Sequence, residues 1–158
     1  MERHVSDTWE QGDPYERYVG RWSRKLAPQF LAWLGAPPGQ RWLDVGCGTG
    51  ALSAAILDGC APAALVAIDP SEGFLASARR NLGERARLRQ AEVGRIPLDD
   101  ASVDVVVSGL VLNFVADRDA AIAEIKRVLA SGGTIAAYVW DYAGRMQLMR
   151  AFWDAAAA

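Results

Sequence analysis

Histidine is almost missing from this sequence: His4 is the only one in 158 residues. A metal centre built on several imidazoles, or a histidine-centred catalytic triad, has almost no material here. Hydrolase and metalloenzyme chemistry are therefore disfavoured, and no metal is expected. Cysteine is equally scarce. Cys47 and Cys60 alone are too few for a disulfide scaffold, and both read as reduced thiols. No apolar run approaches the roughly 20 residues that cross a bilayer. The polar opening Met1 to Arg17 also lacks the apolar centre of a secretory signal, so no membrane association and a cytoplasmic location are expected. An excess of positive charge is absent too. A net charge of -2 gives no electrostatic reason to bind nucleic acid, and Arg79, Arg80, Arg85, Arg87 and Arg89 read as a solvated helix face and the loop after it.

What is present fits one globular domain, with 51% hydrophobic and 23% charged residues. No internal repeat or Pro/Gly/Ser-rich linker divides it. Residues 1–13 read as a polar arm and 14–158 as a single domain. Within that domain, Tyr18, Trp22, Leu26, Phe30, Trp33 and Leu34 recur at helical spacing over the segment 14–36, which Gly35 and Pro37-Pro38-Gly39 end. Arg41 to Val45 reads as a buried strand, followed by Gly46-Cys47-Gly48-Thr49-Gly50 and a helix from Ala51 to Leu57. A second strand, Leu65 to Ile68, ends at Asp69-Pro70; Ser71 is then the N-cap of a helix through Leu82, with Glu72 in its first turn. A weaker strand covers residues 86–91, and the β-branched run Val103 to Val107 is the clearest strand of all. A helix from about Asp119 is expected to end at Ser131-Gly132-Gly133, before a strand from Thr134 to Trp140. Residues 142–158 read as a terminal helix.

Strands alternating with helices through short turns predict an α/β fold: a Rossmann-like, doubly wound, mostly parallel sheet with helices on both faces. In such a sheet ligands lie outside the carboxyl ends of the strands, where the strand order reverses. The first strand's loop sits there, and glycine at 46, 48 and 50 lets the backbone turn sharply and a ligand rest directly on it. Close packing of strand on helix would explain the glycines equally well. Asp69 tips the balance, because a carboxylate ending the second strand is placed to accept hydrogen bonds from both ribose hydroxyls of a ligand lying over the loop.

Leu43-Asp44-Val45-Gly46-Cys47-Gly48-Thr49-Gly50 resembles the first motif of class I S-adenosylmethionine-dependent methyltransferases, in particular the small-molecule group similar to ubiquinone and menaquinone biosynthesis methyltransferases. Further segments follow in that family's order across residues 41–141. Ala67 to Leu75 resembles its second-strand segment and Glu92 to Pro97 its acidic turn, while Val103 to Val106 and Leu129 to Gly133 resemble its fourth-strand and late glycine segments. The resemblance implies S-adenosylmethionine as cofactor and a small molecule as methyl acceptor. By position it implies that Asp44, Gly46, Cys47 and Gly48 hold the methionine end and Asp69 the ribose. Pro70 and Phe74 would flank the adenine or ribose, Glu92 would accept from the exocyclic amine, and the Val93 amide would contact the ring. Glu92 stands where the family more often has aspartate. Ser108 through Asn113 would lie beside the reactive methyl, and Arg21 would pair with the cofactor carboxylate; for Asn113 a cap or loop hydrogen bond explains the residue as well. No catalytic residue is assigned.

Two rival functions share parts of this pattern. A nicotinamide-dependent oxidoreductase usually spaces its glycines G-x-G-x-x-G, whereas the third glycine here arrives one residue early, and no tyrosine is followed by lysine four residues on. The other is a truncated or non-catalytic S-adenosylmethionine-binding domain. The family closes its sheet with a C-terminal β-hairpin, and Tyr142 to Ala158 carries no such pattern. The hairpin is therefore expected to be absent, which would leave the fifth strand an exposed edge open to homodimer formation.

Overall fold

In the computed structural model, which describes residues 21–141, there are five strands: β1 (Arg41–Val45), β2 (Ala64–Asp69), β3 (Arg87–Gln90), β4 (Val103–Gly109) and β5 (Leu129–Tyr138). The helices are α1 (Arg21–Leu34), α2 (Ala51–Gly59), α3 (Glu72–Leu82) and α4 (Arg118–Val128). The arm at 1–13, Tyr18, the side chain of Arg21 and the terminal helix expected over 142–158 lie outside the described residues.

All strand pairs are parallel, in the order β3-β2-β1-β4-β5. The chain winds outward from β1 through β2 to β3, then returns to place β4 on the other side of β1. The order therefore reverses between β1 and β4, and a crevice opens outside their carboxyl ends. Alternation along the strands feeds two cores. Leu43, Val45, Val66, Ile68 and Val106 meet Ile125 and Val128 of α4 on one face. Trp42, Leu65, Val105 and Val107 meet Ala27 and Leu31 of α1 and Leu52 and Ile56 of α2 on the other. A sheet covered on both faces needs such continuous apolar strands.

The cap expected at Ser71 is present, and α4 has one that the sequence reading did not name. The Ser71 hydroxyl accepts from the Phe74 amide at 3.3 Å, and Asp117 caps α4 by accepting from the Ala120 amide at 2.9 Å. One boundary departs from expectation. The helix ends at Val128, and Ser131-Gly132-Gly133 lies inside β5, which begins at Leu129. The pairing jumps from Val103↔Leu129 to Val105↔Thr134, so the extra β5 residues bulge out of the ladder, with Gly132 at φ 76°. A Cβ on Gly133 would stand 2.8 Å from the Asp104 carbonyl oxygen. These glycines serve a strand irregularity and a close backbone approach, not a helix stop. Among the described residues β5 is an edge strand, with Ile135 and Val139 about half exposed.

Candidate functional site

The glycine loop is tied to the neighbouring strand. The amides of Gly46 and Cys47 both donate to the Ile68 carbonyl, at 2.8 and 3.0 Å, and the Gly50 amide donates to the Cys47 carbonyl at 2.9 Å. Gly46, Gly48 and Gly50 all have positive φ (70°, 53° and 91°), a region that other residues enter only with strain. Gly50 begins α2 without a side-chain cap, and the first N–H groups of a helix have no partners within it. Donors therefore point into the crevice. A Cβ on Gly48 would meet nothing within 4 Å, so the crest of the loop is open to a ligand. The loop at 46–50 thus forms an open-crested turn at the start of α2.

Asp69 holds the loop to the next element. Its Oδ2 accepts from the Gly48 amide and its Oδ1 from the Ser71 amide, both at 2.9 Å. Burial raises its pKa, and these two hydrogen bonds oppose the rise. Asp69→Ala is expected to weaken binding of a ribose-bearing ligand by about 1–3 kcal/mol, measured by titration calorimetry; unchanged affinity would reject the ribose role.

Asp44 is the most unusual group in the crevice. It is 1% exposed, and the Ser53 hydroxyl donates to its Oδ2 at 2.6 Å. Its Oδ1 is buried with no hydrogen-bond partner among the described residues. Burial pushes its pKa up to about 7, opposed by the Ser53 hydrogen bond and assisted by the charge of Asp69. An unsatisfied buried carboxylate oxygen is costly unless something fills its need. Asp44 is one of the residues lining the cleft, with Ser23, Gly46, Gly48 and Thr49. Cys47 is buried in the loop, and burial together with the Asp44 and Asp69 carboxylates drives its thiol pKa strongly upward. It is a neutral, compact filler and not a nucleophile.

The remaining sequence-derived residues fall around this centre with different surroundings. Pro70 is exposed and its carbonyl accepts from the Gln90 amide group at 2.9 Å, while Phe74 is half-buried at the first turn of α3. Glu92 is exposed and its carbonyl closes a turn with the Arg95 amide at 3.1 Å. Val93 is half-buried against the α4-side core. Ser108 is buried, and its hydroxyl donates to the Val45 carbonyl at 3.0 Å. The Asn113 side chain donates to the Trp140 carbonyl at 3.2 Å and accepts from the Trp140 amide at 3.0 Å. Both polar groups of Asn113 therefore clamp the loop after β4 to the end of β5.

Two contributors were missed from sequence. Arg127 donates to the carbonyls of Ile96 and Leu98 and to the carboxylates of Asp100 and Glu124. Glu124 in turn accepts from the Ile96 amide at 2.8 Å. This pair fixes the loop that carries Glu92 and Val93 to α4, and Arg127 holds the Glu124 carboxyl near pKa 2. Tyr138 also lines the cleft. The only sequence signal for Tyr138 is a glycine, Gly109, ending a β-branched strand that pairs with it. For Arg127 the one local signal is Glu124, three residues before it on α4; its loop partners are nearly 30 residues away. Among the described residues, no group of three or more His, Cys, Asp or Glu side chains comes together to hold a metal, and no helix is long and apolar enough to cross a membrane.

Comparison with known proteins agrees with this geometry. The chain is 39% identical over 98 residues to a malonyl-[acyl-carrier protein] O-methyltransferase of Geobacter sulfurreducens, covering 61% of this chain and 37% of that protein. It is 38% identical over 99 residues to a demethylmenaquinone methyltransferase of Clavibacter sepedonicus, covering 61% and 40%. The chain thus spans well under half the length of these relatives. A crystal structure of a putative S-adenosyl-L-methionine-dependent methyltransferase from Methanococcus maripaludis matches with a TM-score of 0.69 at 24% identity, covering 98% of this chain and 74% of that one. That match shows the Rossmann-like fold. A family model described as methyltransferase domain matches residues 43–137, the stretch that carries the glycine loop, Asp44, Asp69 and the strand order just described, and the chain belongs to that methyltransferase family.

Proposed function

We propose that this domain binds S-adenosylmethionine across the β1/β4 crevice and transfers a methyl group to a small-molecule acceptor. The observation that carries the reading is the buried Oδ1 of Asp44, unsatisfied beneath an open glycine loop and one strand away from Asp69. A ligand with an ammonium at one end and ribose hydroxyls further along suits these two carboxylates. In this reading the loop Gly46-Cys47-Gly48 meets the amino-acid end, together with Arg21 from the start of α1. Asp69 takes the ribose, Pro70 and Phe74 border the nucleoside, and Glu92 with the Val93 amide reads the adenine edge. Ser108 and Asn113 act by shaping the end of β4 beside the methyl group, since both side chains already have backbone partners.

When bound, the cofactor supplies an electrophilic methyl on a sulfonium, whose charge is lost in an in-line displacement. The chain's own task is to align donor and acceptor and to exclude water, a task that needs no histidine. The two relatives act on different acceptors by their names, malonyl-[acyl-carrier protein] and demethylmenaquinone. A small molecule fits better than nucleic acid, because Arg79 and Arg85 are neutralised by Glu72 and Asp58.

We further propose that residues 14–158 work as one domain in the cytoplasm, where Cys47 and Cys60, both free, stay reduced. The exposed edge of β5 is proposed to pair with a second copy; a monomeric mass in light scattering would reject that. The function itself is tested by calorimetry with S-adenosylmethionine and S-adenosylhomocysteine, followed by release of labelled methyl to candidate acceptors. Binding without transfer to any acceptor would favour the non-catalytic reading. Absence of binding to both compounds would reject the proposal.

A further inference from the structure

No charged residue occurs between Asp104 and Asp117. Inside β4 this follows from burial on both faces, but the uncharged run continues past Gly109 into a surface loop, where polar residues are the rule. There Phe114 is 70% exposed, and Leu112 and Val115 are half-buried. Half-exposed Val139 and half-buried Trp140 follow the end of β5, and the two hydrogen bonds between Asn113 and the Trp140 backbone join them to the loop. The carboxyl ends of β4 and β5 therefore carry an apolar rim.

The rim is held in one shape. Leu110 enters it with a left-handed backbone, φ 64°, and donates its amide to the Tyr138 carbonyl at 2.7 Å. The Phe114 amide closes a 3₁₀ turn on the Val111 carbonyl at 2.8 Å. A left-handed leucine is costly, and a phenylalanine left mostly in water gains little from burial. Neither feature stabilises the domain by itself. The rim also adjoins the crevice. Gly109 lines the same cleft as Asp44 and Gly46, and the γ-carbons of Val111 stand 2.5 and 2.6 Å from where a Cβ of Gly46 would be.

The next step rests on the S-adenosylmethionine reading given above. In that reading the nucleoside extends from the glycine loop towards Asp69 on β2 and Glu92 after β3. The side of the crevice at β4 and β5 is then left for the acceptor. We propose that the loop from Leu110 to Val115 is the acceptor-binding surface, that Phe114 is its principal contact residue, and that the acceptor carries its nucleophilic atom on an uncharged, apolar ring system. A flat ring can lie against the exposed phenyl group. A small carboxylic acid would lose hydration against this uncharged wall without gaining a partner from it.

The test uses calorimetry on the domain saturated with S-adenosylhomocysteine and two probes that share one ring system: 2-naphthol, a phenol uncharged at neutral pH, and 2-naphthoate, its carboxylate counterpart. Wild type is expected to bind 2-naphthol more tightly than 2-naphthoate, and Phe114→Ala to weaken 2-naphthol roughly tenfold. Phe114→Tyr, which keeps the ring, is expected to bind it as wild type does. Because Phe114 is mostly exposed, Phe114→Ala opens no core cavity and is expected to keep the wild-type affinity for S-adenosylhomocysteine. Equal 2-naphthol affinity in wild type and Phe114→Ala, no 2-naphthol binding to the loaded wild type, a preference for 2-naphthoate, or a parallel loss of S-adenosylhomocysteine affinity in Phe114→Ala would overturn the assignment while leaving the cofactor reading intact. Failure of wild type to bind S-adenosylhomocysteine would overturn that reading and this assignment with it.

Discussion

Gly46→Ala is expected to destabilise the domain by about 2–5 kcal/mol, although it adds a single methyl group. Two independent costs meet at this residue. Its φ is 70°, where an L-residue pays roughly 1–2 kcal/mol. The new Cβ would also lie 2.5 and 2.6 Å from the two γ-carbons of Val111. Valine is stiff at χ1, and with both branches facing the glycine no rotation clears the contact; overpacking of this kind costs roughly 1–3 kcal/mol. The loop bearing Val111 cannot easily retreat. Leu110, before it, is itself left-handed with φ 64° and donates its amide to the Tyr138 carbonyl at 2.7 Å. The Phe114 amide donates to the Val111 carbonyl at 2.8 Å, and Asn113 is clamped to Trp140. In urea unfolding, Gly46→Ala combined with Val111→Ala should recover the crowding share and retain the backbone share. No recovery in the double variant would show that Val111 is not the obstacle. Gly48→Ala is the contrasting case. With φ 53° and nothing within 4 Å of its Cβ, it should cost only the backbone term in stability, yet place a methyl where a ligand rests and so weaken binding disproportionately.

The same comparison of Gly46 with Gly48 shows how far local sequence carries. That both permit a turn is legible from the motif; that one is closed by Val111 and the other open to solvent depends on a residue 65 positions downstream of the first. Strands were legible where burial on both faces demanded unbroken runs, as in Val103 to Val107, and α3 was legible because Ser71 and Glu72 act within one turn of their own helix. Ser131-Gly132-Gly133 misled because a helix stop and a strand bulge both need the conformations that glycine supplies. Only the pairing of Leu129 with Val103 distinguishes them. Asn113 was legible as a polar residue at the right strand end with a loop hydrogen bond as one of its two readings, but the partner, backbone at Trp140, was not. Tyr138 and Arg127 act across strands and helices, where spacing along the chain says nothing about approach in space.

Ligand affinity is expected to rise close to tenfold between pH 6.0 and pH 7.5, set by Asp44. With a pKa of about 7, only about one Asp44 in ten is ionised at pH 6.0 and about three in four at pH 7.5. If the ammonium of the ligand needs the charged form, the apparent affinity follows that fraction and binding at the lower pH releases a proton. The ligand-free protein should move the opposite way. Asp44 binds its proton more tightly folded than unfolded, where its pKa is near the ordinary 3.8, so the folded state is favoured while the group is protonated. That advantage is lost as pH rises from about 4 to about 7, an effect on the order of 4 kcal/mol at full shift. Asp44→Asn cannot ionise, so it should flatten this slope in urea titrations across the same range and lose both the affinity and its pH dependence. The buried oxygen that strains the empty domain would then be the one that holds the ligand, a trade of stability for binding at a single side chain. Calorimetry with S-adenosylhomocysteine at pH 6.0 and 7.5 decides the matter: an affinity that does not change with pH would mean that Asp44 meets no positive charge.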